Sequence, residues 1–134
     1  MASGKPKLVL VSGCFDPVHY GHLLHLRAAR NLGDALWVAV TRDRYVNKGP
    51  RRPVFNERER VDMMNALRVV DRAFLVNDPM EAFVTANPSI WALGREYKGK
   101  VDVVHEKYCR THGIRIAFTN ERVWSSTALL RTYA

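Results

Sequence analysis

The sequence predicts an α/β domain built as a three-layer α/β/α sandwich around a five-stranded parallel sheet. Three observations carry that expectation. Short apolar runs alternate with amphipathic stretches from one end of the chain to the other. The length of 134 residues suits one domain with one core, because a domain of that size buries about two-thirds of the surface its unfolded chain exposes. The first apolar run leads straight into a loop rich in glycine and histidine, and a helical pattern begins where that loop ends. Strict alternation of strand and helix argues for parallel neighbours, since parallel strands need crossover connections that lay helices on both faces of the sheet.

Taken in order, Leu8–Ser12 reads as a buried strand, Gly21–Asn31 as a helix and Ala35–Thr41 as a second strand. Glu57–Leu67 has Val61, Met64 and Leu67 at helical spacing. Arg72–Val76 is the third strand, Met80–Ala86 a short helix after Pro79, and Ile90–Leu93 the fourth strand. Val103–His112 forms a helix ended by Gly113, Ile114–Phe118 the fifth strand, and Ser125–Thr132 the last helix. With no repeat, low-complexity segment or linker, residues 1–134 read as one continuous domain. Open parallel sheets bind ligands beyond the carboxyl ends of their strands. Chemistry is therefore expected in the loops Gly13–Tyr20, Arg42–Asn56, Gly94–Lys100 and Thr119–Trp124.

Composition narrows the function classes. An apolar fraction of 47% and a charged fraction of 25% are those of an ordinary globular protein. No segment approaches the roughly 18 consecutive apolar residues of a membrane span, and Leu8–Val11 is too short for the core of an export signal. A cytoplasmic location is expected, with Cys14 and Cys109 as free thiols. Lys and Arg outnumber Asp and Glu by 21 to 13, which favours nucleotides, phosphorylated metabolites or nucleic acid as partners. A basic nucleic-acid-binding domain without catalysis is the competing reading, but neither stacked aromatics nor a basic reading helix supports it.

The strongest motif is Gly13-Cys14-Phe15-Asp16-Pro17-Val18-His19-Tyr20-Gly21-His22. His19 and His22 flank a glycine at a helix start, beside backbone N–H groups whose partial positive charge suits a phosphate. Gly21 lacks a Cβ and lets a nucleotide approach the backbone. Asp16 would repel a phosphate, so its expected task is to hold the loop through hydrogen bonds to backbone N–H groups. A metal centre would need further ligands at zinc spacing, and none is supplied. His25 lies a turn inside the helix and is left outside the expected site.

This stretch resembles the HxGH signature of the cytidylyltransferase-like nucleotidyltransferases, whose first loop reads G-C/T-F-D-x-x-H-x-G-H; every fixed position matches. The resemblance implies a Rossmann-like fold, His19 and His22 as catalytic residues, and Gly13, Cys14, Phe15, Asp16 and Gly21 as nucleotide-binding. It implies transfer from an NTP to a small phosphorylated substrate, with pyrophosphate released and magnesium carried in with the NTP. It also allows a homodimer.

Three further segments extend the resemblance. Lys48-Gly49-Pro50-Arg51-Arg52-Pro53, with Arg60 on the following helix, reads by itself as a solvated basic loop or a phosphate clamp. It resembles the K-G-P-x-R-P segment of the sugar-phosphate adenylyltransferases, which implies that Lys48, as a catalytic residue, and Arg60 approach the phosphates. Gly94-Arg95-Glu96-Tyr97-Lys98-Gly99-Lys100-Val101 nearly spells a Walker A loop, but Val101 stands where a magnesium-binding Ser or Thr belongs. It resembles instead the family's G-x-D-Y/W-K loop, with Gly94, Tyr97 and Lys98 matching and Glu96 in place of aspartate, which implies a position near the base and the acceptor. Ser125-Ser126-Thr127 either caps the last helix or faces a phosphate, and it resembles the family's S-T-T/S segment. The R-T-x-G-I/V-S-T pattern of the cytidylyltransferases is altered here: Arg122 is shifted and the glycine is missing. ATP is therefore the expected nucleotide, with a CTP-dependent, glycerol-3-phosphate-type cytidylyltransferase as the alternative.

Overall fold

The five expected strands pair into a single parallel sheet. A computed structural model describes residue 4, residues 6–120 and residues 125–133. The strands are β1 (Leu8–Gly13), β2 (Ala35–Thr41), β3 (Arg72–Val76), β4 (Ile90–Gly94) and β5 (Arg115–Thr119). Between and after them lie α1 (Tyr20–Arg30), α2 (Glu57–Asn65), α3 (Pro79–Ala86), α4 (Val103–Thr111) and α5 (Ser126–Tyr133). Short 3₁₀ turns occupy Asp43–Tyr45 and Arg95–Tyr97. Every ladder is parallel and the strand order is β3-β2-β1-β4-β5, the Rossmann-like arrangement that the sequence predicts.

Side chains alternate across each strand, so one run feeds two cores. Val9 and Val11 of β1 join Leu36, Val38 and Val40 of β2 in a cluster closed by Leu26 and Ala29 of α1 and Met64 of α2. On the opposite face Leu10, Ala39 and Trp91 pack with Ala82 and Phe83 of α3 and Cys109 of α4. Both faces are buried, which is why the strands read as nearly unbroken apolar runs. Each fully buried aliphatic side chain contributes about 1.5–3 kcal/mol relative to exposure.

Element ends shift for identifiable reasons. β1 and β4 run on to Gly13 and Gly94, and β5 moves one residue on, because Gly13 pairs with Val40 and Gly94 with Thr119. α2 ends at Asn65 rather than Leu67, and the Asn65 carboxamide oxygen accepts from the Ala73 N–H at 2.8 Å, tying the helix end to β3. Asn56 and Glu59 form a capping box at the start of α2.

From β1 the chain works outward through β2 to β3, then crosses back to β4 on the other side of β1. Strand order therefore reverses between β1 and β4, and the crevice beyond their carboxyl ends is where such folds receive ligands. Arg60 sits under one wall of it, completely buried. Its Nε donates to Phe55 O at 2.9 Å, its Nη1 to Cys14 O at 2.8 Å and Thr41 O at 2.7 Å, and its Nη2 to Asp43 at 2.7 Å. One guanidinium thus satisfies carbonyls from three separate segments and pairs with a carboxylate.

Removing it leaves those acceptors and Asp43 without their partner, together with a void. We expect Arg60→Ala to lower the unfolding free energy in urea by about 3 kcal/mol or more. A loss below about 1 kcal/mol, the worth of one ordinary hydrogen bond, refutes the structural role.

Candidate active site

The loop after β1 is held open by its own side chains. Phe15 has a φ of 52°, a left-handed conformation that costs a non-glycine residue about 1–2 kcal/mol. Its ring is 4% exposed in the first core and packs edge-on against His22, with centroids 4.9 Å apart, which offsets that cost. Asp16, also buried, accepts from the Val54 N–H at 2.8 Å, the Phe55 N–H at 3.0 Å and Arg52 Nε at 2.9 Å. It does bond backbone N–H groups as expected, but those of the 48–56 loop. Burial alone would raise its pKa, yet the hydrogen bonds from Arg52, Phe55 and Val54 and the charge of Arg52 outweigh that and hold it below the usual 3.8.

Two histidines start α1 by capping each other. The His22 N–H donates to His19 Nδ1 at 3.3 Å, and the His19 N–H donates to His22 Nδ1 at 3.2 Å, a capping box made from two imidazoles. Each Nδ1 is an acceptor, so each neutral ring carries its proton on Nε2. The rings stack with centroids 3.8 Å apart. Desolvation lowers the pKa of His19; for His22, desolvation with the charges of His19, His25 and Lys48 lowers it to about 3. Both rings are neutral N–H donors at neutral pH.

A cavity of about 350 Å³ lies over the carboxyl ends of β1, β4 and β5. It brings together Gly13, Cys14, Phe15, Asp16, His19, Gly21 and His22 from the first loop, Lys48 from the second, Gly94 and Tyr97 from the third, and Ser125, Ser126 and Thr127 from the start of α5. Lys48 is exposed at the rim. The Glu96 carboxylate folds over Gly94, where a Cβ would collide with it. Burial first, then the charges of Glu96 and Cys14, raises the Tyr97 pKa. Ser125 Oγ accepts from the Ala128 N–H at 3.2 Å, the capping alternative, while Ser126 Oγ donates to Pro17 O at 3.0 Å and ties α5 to the first loop.

Two expected members do not line the cavity, and a third is not described. Arg60 is a correction: its guanidinium is spent on Phe55, Cys14, Thr41 and Asp43 beneath the cavity, so it has no face for a phosphate. Lys98 does not line the cavity in this structure; it is exposed, with its ammonium 5.9 Å from the centroid of the Phe118 ring. Arg122 lies outside the described residues. Conversely, His25 lines the cavity with its Nδ1 2.7 Å from Thr119 Oγ1, and its three-residue step from His22 on one helix face was the available signal. Arg52 was also unmarked as a site residue: it links Asp16 to Thr127, its Nη1 donating to Thr127 Oγ1 at 3.1 Å and its Nη2 to Asp16 O.

This crevice, closed by an HxGH loop, coincides with a family-wide match: residues 10–129 fit the family model described as cytidylyltransferase-like. The chain belongs to the cytidylyltransferase-like nucleotidyltransferases. The FAD synthase of Methanosarcina barkeri is 34% identical over 128 residues, which cover 91% of this chain and 91% of that protein. The bifunctional protein HldE of Gluconobacter oxydans is 38% identical over 128 residues, 92% of this chain and 26% of that protein. The chain spans only about a quarter of the HldE proteins it matches. Among solved structures, a lipopolysaccharide core biosynthesis protein from Thermoplasma volcanium superposes with a TM-score of 0.73 and 31% identity, over 90% of this chain and 100% of that one. In this cytidylyltransferase-like chain, no group of three or more His, Cys, Asp or Glu among the described residues is placed to hold a metal ion. No helix among the described residues is long and apolar enough to cross a membrane.

The depressed pKa values set a pH dependence. Between pH 6.5 and about 3 the unfolded chain binds a proton at His22 that the folded chain refuses, so stability falls as pH falls through that window. His22→Gln keeps an acceptor at the third helical position and removes the titration. Its stability, followed by urea denaturation from pH 7 to pH 4, should decline less steeply than that of the parent chain; parallel curves contradict a buried neutral ring.

Proposed function

We propose that this domain transfers a nucleoside monophosphate, with ATP favoured, to the phosphate of a small phosphorylated sugar or polyol and releases pyrophosphate. The observation that carries the reading is the mutually capped His19–His22 pair: two neutral Nε2–H groups in a crevice that also takes in Gly21 and Lys48. An acceptor phosphate oxygen attacks the α-phosphorus in line, the bond from that phosphorus to the bridging oxygen breaks, and pyrophosphate leaves with the electron pair. The attacking oxygen is already anionic, so no general base is needed. What the protein supplies is position and hydrogen bonds that strengthen as charge moves onto the bridging and leaving oxygens.

Neutral imidazoles suit that task, since they donate without competing for the proton. Lys48 brings a full positive charge from the rim. The NTP enters as its magnesium complex, with the ion held by phosphate oxygens and water. The nucleotide preference is supported by the Lys48–Arg60 segment, which follows the adenylyltransferase pattern, and by the missing R-T-x-G pattern at 119–124. A FAD synthase and the bifunctional HldE proteins among the relatives support nucleotidyl transfer as the reaction class.

The test is pyrophosphate release from each NTP against a panel of sugar phosphates and polyol phosphates. ATP should give the highest kcat/KM with the best acceptor; a higher value for CTP returns the cytidylyltransferase alternative. Excess chelator should abolish release. His19→Asn and His22→Gln retain side-chain acceptors for the helix cap while losing the Nε2–H, and each should lower kcat about a hundredfold, the usual cost of one lost transition-state hydrogen-bond donor. Near-parental turnover in both removes the histidines from the mechanism.

A further inference from the structure

At the β5 side of the cavity, α1 and the sheet meet through a polar pair. His25 Nδ1 lies 2.7 Å from Thr119 Oγ1, and both residues line the cavity together with the apolar Val11, Ala92 and Leu93. Thr119 is the last residue of β5 and is 7% exposed. It follows Ala117 by two positions and so shares its face, the one that packs into the first core with α1. Lys48 comes from the loop after β2, so in the strand order β3-β2-β1-β4-β5 the lysine and the His25–Thr119 pair stand on opposite sides of β1 and β4.

We propose that Thr119 holds a ribose hydroxyl of the nucleoside triphosphate, and that His25 is the positioning residue that fixes the Thr119 hydroxyl for it. The inference rests on the nucleotidyl transfer proposed above. With the phosphates along His19, His22 and Lys48, the nucleoside has to extend toward β4 and β5, where the cavity continues. The ribose is bonded directly to the α-phosphate, so its hydroxyls come first and the base lies beyond them. His25 follows His22 by three residues on one face of α1, a rise of about 4.5 Å. Its charge is among the causes that lower the His22 pKa, so the two rings are near each other. The pair therefore falls at the depth of the sugar.

The chemistry of the pair suits an O–H group. A threonine hydroxyl is a rotor carrying one hydrogen and two lone pairs, and the bond to His25 stops that rotor. Whether the hydroxyl donates to Nδ1 or accepts from it, Oγ1 keeps a lone pair for an incoming O–H. Gly94 pairs with Thr119 across the ladder, and the Glu96 carboxylate folded over Gly94 adds a second acceptor on the same wall. A deoxynucleotide brings no hydrogen to those acceptors at the missing hydroxyl.

The experiment measures pyrophosphate release by the full chain from ATP, CTP, 2′-deoxy-ATP and 3′-deoxy-ATP with the best acceptor. The parent kcat/KM should favour ATP over one of the two deoxy analogues by about tenfold, the cost of a hydrogen bond whose loss leaves a buried partner unsatisfied; the analogue that suffers names the hydroxyl. Thr119→Val and His25→Phe keep the bulk of each side chain and remove its polar atoms. Each should bring the preference to within about threefold, and the variant carrying both should lose no more than either alone, because the two act through one bond. Thr119→Ser keeps the hydroxyl and should keep the preference. The ratio of ATP to CTP should stay at the parent value throughout. Three results overturn the assignment and leave nucleotidyl transfer standing: equal use of ATP and both analogues by the parent, equal weakening of ATP and the analogues in both single variants, or a change in the ATP to CTP ratio in place of the sugar preference. A parent chain that releases no pyrophosphate from any NTP overturns both.

Discussion

The site depends on one buried carboxylate. Asp16 is 1% exposed, and an isolated charge so placed would be driven to protonate. It remains ionised because Arg52 and two backbone N–H groups of the 48–56 loop converge on it. That convergence joins segments far apart in sequence: the loop after β1, the loop after β2 and, through Arg52 and Thr127, the start of α5. Arg60 completes the frame from below by holding the Cys14 carbonyl. Two arginines that look like phosphate clamps in a sequence are thereby consumed, wholly or largely, in fixing the loop that presents the histidines.

Charge therefore divides between two jobs. Permanently ionised groups, paired and hydrogen-bonded, set the geometry beneath and beside the crevice. The groups lining the crevice include two rings whose desolvation keeps them neutral. A protonated His22 in contact with His19 and within the field of Lys48 would face repulsion as well as burial. The mobile positive charge is left to Lys48 at the rim, where solvent makes it inexpensive.

Much of this was legible in the sequence. Apolar runs bounded by helical patterns located every strand, because both faces of a parallel sheet are covered and each strand is apolar throughout. The HxGH loop was legible because its residues are contiguous. What escaped were relations between distant positions. The contact between His25 and Thr119 spans 94 residues, and the burial of Arg60 depends on carbonyls from three segments that no local pattern announces. Lys98 matches its position in a motif from which Glu96 departs, and its ammonium lies 5.9 Å from the Phe118 ring centroid. Motif identity fixed the neighbourhood of a side chain but not its direction.

The reciprocal imidazole cap has a consequence for how the site is armed. In a frayed α1 the backbone N–H groups of His19 and His22 would turn to water, and each ring would exchange freely between its two tautomers. Only the closed first turn selects the form with hydrogen on Nε2. Winding of that turn and the setting of both tautomers are one event, so an unfolded or partly folded chain holds no pre-set pair of Nε2–H groups. Substitution at either histidine is then penalised through the start of the helix itself.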